Sequence, residues 1–277
     1  MRPAVPDMRN LAGRAARYLY RRRCPNFVVS FPKSGKTWTK QVLEAYFQNM
    51  AEPGRFELDF DRWRPLLPNG RRHRAPAVLF THAIYRYEDP VQLLKWIELC
   101  RTKRVVLQAR DPRAIVISYY FQRIRRFGEA REMNLATFLR DETMGIRRIV
   151  EYLNLWFQNR HRFRDFLFLR YETNLFDPGQ EFKKLLEFLG AGPVNTEALA
   201  AAIHRVPDTT RNIEQGGIQL LEHVRAGKPD ASLHRGDWQQ LDLPGTGEFL
   251  SSQDAAYIEN QVAALSSEMG YSGPGDQ

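Results

Sequence analysis

The chain has 277 residues, of which 43% are hydrophobic and 26% charged, and its formal net charge at neutral pH is +9. This length suffices for one large α/β domain with a buried core, and the composition excludes a disordered chain. The positive charge favours anionic partners, which include nucleic acid, acidic lipid, an acidic polymer or a small, highly charged cofactor.

Cysteine usage and the apolar profile indicate the compartment. The two cysteines, Cys24 and Cys100, are too few for a disulfide framework and predict reduced thiols. The Arg-rich first residues are not followed by the apolar stretch of a signal peptide, and no run of 18 apolar residues predicts a membrane-spanning helix. We therefore expect a cytoplasmic protein with no integral membrane segment.

Apolar runs and helical periodicities alternate along the chain. Short apolar runs predict buried strands at 26–30, 77–81, 104–109 and 166–169. Apolar residues at helical spacing predict helices at 38–47, 91–98, 112–120, 146–157, 178–189 and 253–269. This alternation predicts an α/β fold with a mainly parallel central sheet flanked by helices on both faces.

The remaining segments are predicted from their composition and end signals. Asp177 followed by Pro178 and Gln180 predicts a capped helix start with a capping-box partner, and Gly190 predicts its end. Irregular segments are expected at 52–77 and at 205–247, the second as a long functional loop region. We expect a single domain over residues 1–277, with a core at about 24–270. Its basic segment 1–23 forms either an amphipathic helix that touches a membrane or a solvated surface helix.

A phosphate-binding loop is predicted between the first strand and the first helix, at residues 31–37. The free N–H groups and the positive dipole at a helix N-terminus bind a phosphate, and Gly35 lets the backbone approach it closely. Side chains that add donors there are Lys33, Ser34, Lys36 and Thr37. The alternative from the residues alone is a tight strand-to-helix turn without a ligand.

The same loop is close to the nucleoside triphosphate motif G-x-x-x-x-G-K-[ST], with only the leading glycine replaced, by Ser30. A kinase or NTPase that uses ATP and Mg²⁺ is therefore an alternative. That class also needs an aspartate at the end of a neighbouring strand to hold the metal. The third strand is followed by Arg110, with Asp111 already in the turn, which disfavours this alternative.

Four motifs resemble the cytosolic sulfotransferases, which transfer a sulfuryl group from 3′-phosphoadenosine-5′-phosphosulfate (PAPS). Residues 31–38, Phe-Pro-Lys-Ser-Gly-Lys-Thr-Trp, resemble that family's 5′-phosphosulfate loop. This chain has Lys36 where the family has a threonine. Residues 110–120 resemble its 3′-phosphate motif, with an arginine and a serine eight residues apart before Tyr-Tyr. Weaker similarities lie at 168–172 and 236–238. The resemblance implies the P-loop NTPase-like sulfotransferase fold.

The resemblance also implies binding roles for PAPS and its product, adenosine 3′,5′-bisphosphate (PAP). The segment Lys33–Thr37 would hold the 5′-phosphosulfate, Trp38 would stack on adenine, and Tyr171 would contact the base. Arg110 and Ser118 would bind the 3′-phosphate, since arginine is a bidentate phosphate partner. The family's late Arg-Lys-Gly element is out of register here, so the residues that would close over this phosphate are Arg225 and Gly227 or Arg235 and Gly236.

Catalytic residues are assigned by the same resemblance. Phe80-Thr-His82 resembles the family's Lys-Thr-His, which implies that His82 is the general base, and its ordinary pKa of about 6.5 suits that role. From the residues alone, a lone histidine is more often structural. The family implies that Lys33 neutralises the bridging oxygen as charge develops and that Ser118 restrains Lys33 until substrate arrives. We expect no metal ion.

The acceptor and the alternatives remain open. The arginine runs at 21–23 and 71–74 would suit a nucleic-acid-binding module, but they lack interleaved aromatic residues and a recognition element, so we expect no nucleic acid. We expect the acceptor to be a small molecule with a hydroxyl or amine group. An anionic saccharide or peptide, which the basic segment 71–74 would bind, is the less favoured alternative. Aromatic residues that suit an apolar acceptor are Tyr85, Tyr87, Phe121 and Phe127. The oligomeric state is not predicted.

Overall fold

A computed structural model describes residues 21–50, 76–83, 90–127, 134–206 and 251–271, and of 90–93, 121 and 123–127 the backbone alone. In these ranges the strands are β1 (Asn26–Ser30), β2 (Val78–Thr81), β3 (Arg104–Ala109) and β4 (Asp165–Arg170). They form one sheet in the order β2-β1-β3-β4, and every neighbouring pair is parallel. The four predicted strands and the parallel sheet are confirmed, with strand ends within one residue.

The helices of the described residues follow in chain order. They are α1 (Lys36–Met50), α2 (Pro90–Cys100), α3 (Pro112–Phe127), α4 (Leu135–Leu139), α5 (Ile146–Gln158), α6 (Tyr171–Phe176), α7 (Pro178–Leu189), α8 (Thr196–Arg205) and α9 (Ser252–Val262). The predictions did not include α4, α6 and α8. The α8 sequence is alanine-rich, and the side chain of Asn195 caps it by accepting from the Ala198 N–H.

The last predicted helix, 253–269, is wrong in its length. It is divided into α9 and a short 3₁₀ turn at Ser267–Met269. Asn154 of α5 explains the break, because its side chain donates to the Ala264 carbonyl at 2.7 Å and accepts from the Ser266 N–H at 3.0 Å. These bonds hold the backbone in a non-helical path.

The predicted cap of α7 is confirmed in part. The Asp177 side chain accepts from the Gln180 N–H at 3.0 Å, and Gly190 ends the helix with a φ of 83°. The reciprocal capping-box bond is absent from the described contacts because the Asp177 N–H donates to the Thr173 carbonyl, at the end of α6. A single residue thus separates α6 from α7.

The core lies on both faces of the sheet, and the alternation of side chains along the strands divides it. Phe27 and Val29 of β1 pack on the face that carries α3, α5 and α9, whereas Val28 packs on the face that carries α1 and α7. Every residue of β1 is buried, which is why the strand reads as a continuous apolar run.

The strand order creates a crevice at one edge of the sheet. From β1 the chain passes to β2 on one side and then crosses to β3 on the other. Ligands of open α/β sheets bind outside the carboxyl ends of the strands at such a switch point. The residues that follow β1 and β3 therefore lie where a nucleotide would bind.

Candidate active site

The sheet brings the predicted site segments to one edge. Residues 31–35 follow β1, His82 follows β2, Arg110 follows β3 and Tyr171 follows β4, and the four strands are parallel. The residues that the sequence places far apart are thus neighbours in the fold.

The loop after β1 has an unusual backbone. Lys33 has a φ of 73°, a left-handed conformation that non-glycine residues rarely adopt, and Gly35 has a φ of 82°. The Ser34 N–H donates to the Phe31 carbonyl at 3.3 Å, which closes a turn before α1 begins at Lys36. Left-handed residues in such a turn direct successive N–H groups to one concave side, where an anion binds.

Glycine is required at position 35 for two reasons. Its φ is left-handed, and a Cβ there would lie 2.3 Å and 2.7 Å from two ring carbons of Tyr171. Such distances are incompatible with any side chain unless the tyrosine ring moves. The loop therefore packs directly on the first residue of α6.

Arg110 reaches the same loop from the end of β3. Its Nη1 donates to the Lys33 carbonyl at 3.3 Å, and its guanidinium carbon lies 4.9 Å from the centroid of the Tyr171 ring. The side chain is 1% exposed. The predicted 3′-phosphate residue therefore contacts the backbone of the predicted 5′-phosphate loop.

Gln108 is a second contact between β3 and the loop, and the sequence analysis missed it. Its side-chain amide donates to the Ser34 carbonyl and to the Thr39 hydroxyl, both at 2.9 Å. The available signal was a polar residue inside an otherwise apolar buried strand, since a buried amide needs hydrogen-bond partners.

Two serine hydroxyls of the predicted site are buried without a bond. Within the ranges that the structure describes, the Oγ atoms of Ser34 and Ser118 have no hydrogen-bond partner. The Ser118 hydroxyl therefore makes no hydrogen bond to Lys33 here, and the restraint of Lys33 that the resemblance implies stays a prediction. Buried hydroxyls normally have a partner, so both atoms suit a ligand oxygen.

His82 is bonded to the end of β1. Its Nδ1 lies 2.7 Å from the backbone oxygen of Ser30 and 3.4 Å from the Ser30 hydroxyl. A carbonyl oxygen only accepts, so Nδ1 carries the proton, and in the neutral ring Nε2 is the basic nitrogen. The ring is thereby oriented at the edge where the loop lies.

The two aromatic residues expected to contact adenine are covered. Trp38 is 5% exposed and packs edge-on against Tyr171 and Phe182, with ring centroids 6.3 Å and 5.2 Å away. Tyr171 is completely buried. In the described residues the Tyr171 ring packs against Gly35 of the loop and Trp38 packs against Tyr171, and base contact by either ring stays a prediction.

A carboxylate next to the site was also missed. Glu172, the residue after Tyr171, accepts from the Asp111 N–H at 2.8 Å and from the Tyr271 hydroxyl at 2.9 Å. Burial raises the pKa of Glu172, and these hydrogen bonds offset the effect only in part. Glu172 joins the start of α3 to the C-terminal segment, a link that no local sequence pattern reveals.

Asp111 is engaged within its own turn. Its carboxylate accepts from the Arg113 N–H at 2.8 Å and from the Arg113 guanidinium at 3.3 Å. Arg113 is 2% exposed and also pairs with Glu259 of α9. An aspartate held in this way is a poor metal ligand, which disfavours an ATP–Mg²⁺ site.

Some predicted residues lie outside the described ranges. These are Arg225, Gly227, Arg235 and Gly236 of the late loop, Tyr85 and Tyr87, the arginine run at 71–74 and the basic segment up to residue 20. The side chains of Phe121 and Phe127 also lie outside them. Lys33 and Lys36 are partly buried, and Thr37 is exposed. Across the described helices, none has the length and hydropathy that a bilayer crossing requires.

Comparisons with known proteins agree with the motifs. The sulfotransferase domain model matches residues 25–212, more than half of the chain. Sulfotransferase 1A1 of Rattus norvegicus is 28% identical over 178 residues, which cover 59% of this chain but only 58% of the relative. Cytosolic sulfotransferase 3 of Arabidopsis thaliana is 24% identical over 266 residues, covering 85% and 79% of the two chains.

Solved structures are similar to this chain as well. A sulfotransferase from Alicyclobacillus acidocaldarius is 18% identical and has a TM-score of 0.41. The match covers 77% of this chain and 99% of the solved chain. The matched residues 25–212 include the whole parallel sheet, the loop after β1 and the segment from Arg110. The chain therefore belongs to the sulfotransferase domain family.

Proposed function

We propose that the protein transfers the sulfuryl group of PAPS to a hydroxyl or amine group of a small acceptor. One observation carries this proposal: Arg110 Nη1 donates to the carbonyl of Lys33, in the loop that would hold the donor's 5′ end. One nucleotide with a phosphate at each end of its ribose would therefore contact both segments.

The 5′ end of the donor fits the loop after β1. The left-handed residues Lys33 and Gly35 turn the backbone N–H groups towards an anion, and the dipole of α1 favours negative charge there. The buried Ser34 hydroxyl would gain a phosphate oxygen as its partner. We propose that Lys36 and Thr37, at the start of α1, complete this site.

The 3′-phosphate is assigned to Arg110 and Ser118. Arg110 follows β3, and Ser118 lies about two turns into α3, the helix that begins at that strand end. Like the Ser34 hydroxyl, the buried Ser118 hydroxyl has no partner among the described residues and suits a phosphate oxygen. Closure over this phosphate by Arg225 and Gly227, or by Arg235 and Gly236, stays a prediction, as does base contact by Trp38 and Tyr171.

PAPS supplies a sulfuryl group on a phosphate leaving group, so the chain's residues have to activate the acceptor and neutralise that phosphate. We propose that Nε2 of His82 takes the acceptor proton, because Nδ1 already donates to Ser30. Lys33 would stabilise the charge that develops on the bridging oxygen. Ser118, assigned above to the 3′-phosphate, would also restrain Lys33 until the acceptor binds. The proposal requires no metal ion.

The acceptor is proposed only as a class. We propose a small molecule with a hydroxyl or amine group as the acceptor. We also propose a cytoplasmic location, which the name of the Arabidopsis relative, cytosolic sulfotransferase 3, indicates for that protein. A labelled-PAPS assay against a panel of phenols, alcohols, amines, saccharides and peptides tests the class. Label that appears only on a saccharide or peptide would contradict the small-molecule proposal.

The donor is tested by ligand-induced stabilisation. A ligand that binds the folded state raises the melting temperature with its concentration relative to Kd. We expect PAP to raise the melting temperature more than ATP with Mg²⁺ at equal concentration. Stronger stabilisation by ATP with Mg²⁺ would support the kinase or NTPase alternative instead.

A further inference from the structure

Gln108 is the one polar residue between the first residue of β3 and its end, in a sequence that reads Arg-Val-Val-Leu-Gln-Ala. It is completely buried. An apolar side chain would fill this position without the cost of burying an amide. The amide therefore needs an explanation from its contacts.

The contacts of Gln108 join three elements. Its Nε2 donates to the Ser34 carbonyl and to the Thr39 hydroxyl, each at 2.9 Å, and so connects β3 with the loop and with α1. The Ser34 carbonyl fixes the amide orientation, because a carbonyl oxygen requires a donor. A Cβ at Gly35 would lie 3.2 Å from the same nitrogen, which places Gln108 directly beneath the loop.

Two adjacent loop carbonyls are thus held from the end of β3. The Lys33 carbonyl accepts from Arg110 and the Ser34 carbonyl accepts from Gln108. The Ser34 carbonyl and the Gly35 N–H belong to one peptide unit, so a carbonyl held on the sheet side turns this N–H away from the sheet, where the anion would bind. Lys33 keeps its left-handed φ of 73° in this arrangement, a conformation that persists only when its surroundings impose it.

We propose that Gln108 is a positioning residue for the 5′-phosphosulfate loop, acting through the carbonyl of Ser34 rather than by touching the donor. This proposal rests on the function proposed above. Loss of the Gln108 amide lets the Ser34 peptide rotate, which misaligns the N–H groups that receive the 5′-phosphate. The 3′-phosphate contacts of Arg110 and Ser118 stay in place.

The test measures the affinity of the full chain for three nucleotides: adenosine 3′,5′-bisphosphate, adenosine 5′-monophosphate and adenosine 3′-monophosphate. In Gln108→Leu we expect the first two to bind about tenfold more weakly and the third to bind as in the wild type, since the buried hydrogen bond that holds the Ser34 carbonyl is lost. Equal weakening of all three, or unchanged binding of the 5′-monophosphate, overturns the proposal.

Thr39→Val is the matched control. It removes the second acceptor of the same amide, Thr39, and leaves the bond to the Ser34 carbonyl intact. We expect it to lower the melting temperature as Gln108→Leu does without changing 5′-monophosphate affinity. A tenfold loss in this control would show that general destabilisation, and not loop position, explains the effect.

Gln108→Glu gives an independent readout and decides the question if Gln108→Leu does not fold. A protonated carboxyl has one O–H donor for the Ser34 carbonyl, whereas the carboxylate has none. Relative to wild type at each pH, we expect 5′-monophosphate affinity to recover as the pH falls. A flat ratio contradicts the proposal. If the wild type does not bind adenosine 3′,5′-bisphosphate, the proposed function itself is refuted. If the wild type and the Gln108 variants bind it with equal affinity, only the role of Gln108 is refuted.

Discussion

The Nδ1 nitrogen of His82 lies 2.7 Å from the backbone oxygen of Ser30, so the end of β1 fixes which imidazole nitrogen carries the proton. Because β1 and β2 are parallel neighbours, Ser30 and His82 come one residue after the last paired positions, Val29 and Thr81. The sheet register itself therefore orients the proposed base, without a carboxylate partner being required.

We predict that His82→Ala lowers turnover by roughly 10²–10⁴-fold, the usual contribution of a general base. PAP binding should be unchanged, because the proposed nucleotide contacts lie on other strand ends. Initial rates with labelled PAPS and calorimetric titration with PAP measure the two quantities. Loss of PAP affinity together with activity would contradict the role of base.

We predict that Arg110→Ala weakens PAP by tenfold or more, since charge-assisted hydrogen bonds are about twice as strong as neutral ones. Adenosine 5′-monophosphate should be affected less, because only the bond to the Lys33 carbonyl is lost. Arg104→Ala is the control: it lies at the other end of β3 in an exposed ion pair with Asp165, so binding should not change. Equal losses for the two nucleotides would show that Arg110 does not bind the 3′-phosphate.

We predict that Gly35→Ala abolishes binding of PAP, whereas Gly192→Ala leaves it intact. Both glycines have a left-handed φ, 82° and 79°, so alanine costs roughly 1–2 kcal/mol of stability at either position. Only at Gly35 would the new Cβ also meet the Tyr171 ring, since no atom among the described residues lies within 4 Å of it at Gly192. Urea denaturation of both variants measures the backbone strain, and PAP titration measures the effect on binding. Equal stability and equal PAP affinity of the two variants would contradict the packing of Gly35 against the Tyr171 ring.

Glu172 predicts a pH dependence of stability. Burial raises its pKa in the folded state, so the folded protein holds this proton more tightly than the unfolded chain. The contribution of protonated Glu172 to the free energy of unfolding is complete below the ordinary pKa of a glutamate. It is lost as the pH rises through the raised pKa of the folded state. We expect Glu172→Gln to remove this dependence, so that the wild type loses stability relative to the variant as the pH rises from the ordinary glutamate pKa through the raised pKa.

Parallel urea denaturation curves of the wild type and Glu172→Gln at several pH values measure that difference. A constant difference across the range would mean that Glu172 has the same pKa in both states. The glutamine variant is a suitable reference because its amide oxygen still accepts from the Asp111 N–H.

We predict that neither cysteine reacts with a thiol reagent in the native protein. Burial raises the pKa of the Cys100 thiol to about 12, and the Cys24 thiol is buried and donates to the Asn26 carbonyl at 3.2 Å. Ellman's reagent at about pH 8 should detect no thiol before urea is added and two afterwards. Rapid reaction of one thiol in the native state would show local opening of the N-terminal part of the core.

The sequence predicted those parts of the fold that depend on local patterns. The apolar run of β1, the Gly-containing loop and the capping signals at Asp177 and Gly190 each have a nearest-neighbour cause, and the structure contains all of them. Helix α6 was missed because it begins on the residue after β4, with no loop signal between them.

The missed parts of the site depend on contacts between distant residues. Gln108 reaches a loop 74 positions away, and Glu172 is bonded to Tyr271, 99 positions away. Neither relationship has a periodicity or a motif. The left-handed φ of Lys33 was missed as well, and the bond that accompanies it, from Arg110 to the Lys33 carbonyl, joins residues 77 positions apart.

Tyr271 has a consequence for how this protein is handled in the laboratory. Its hydroxyl donates to Glu172, which lies just after β4, and its backbone oxygen accepts from Arg113, three residues after Arg110. The last described turn is therefore bonded to the residues that follow both strands. We expect a C-terminal deletion that removes Tyr271 to disturb the proposed nucleotide site, although Tyr271 is not one of its proposed contacts. Expression vectors should therefore retain residue 271 and place any purification tag beyond it.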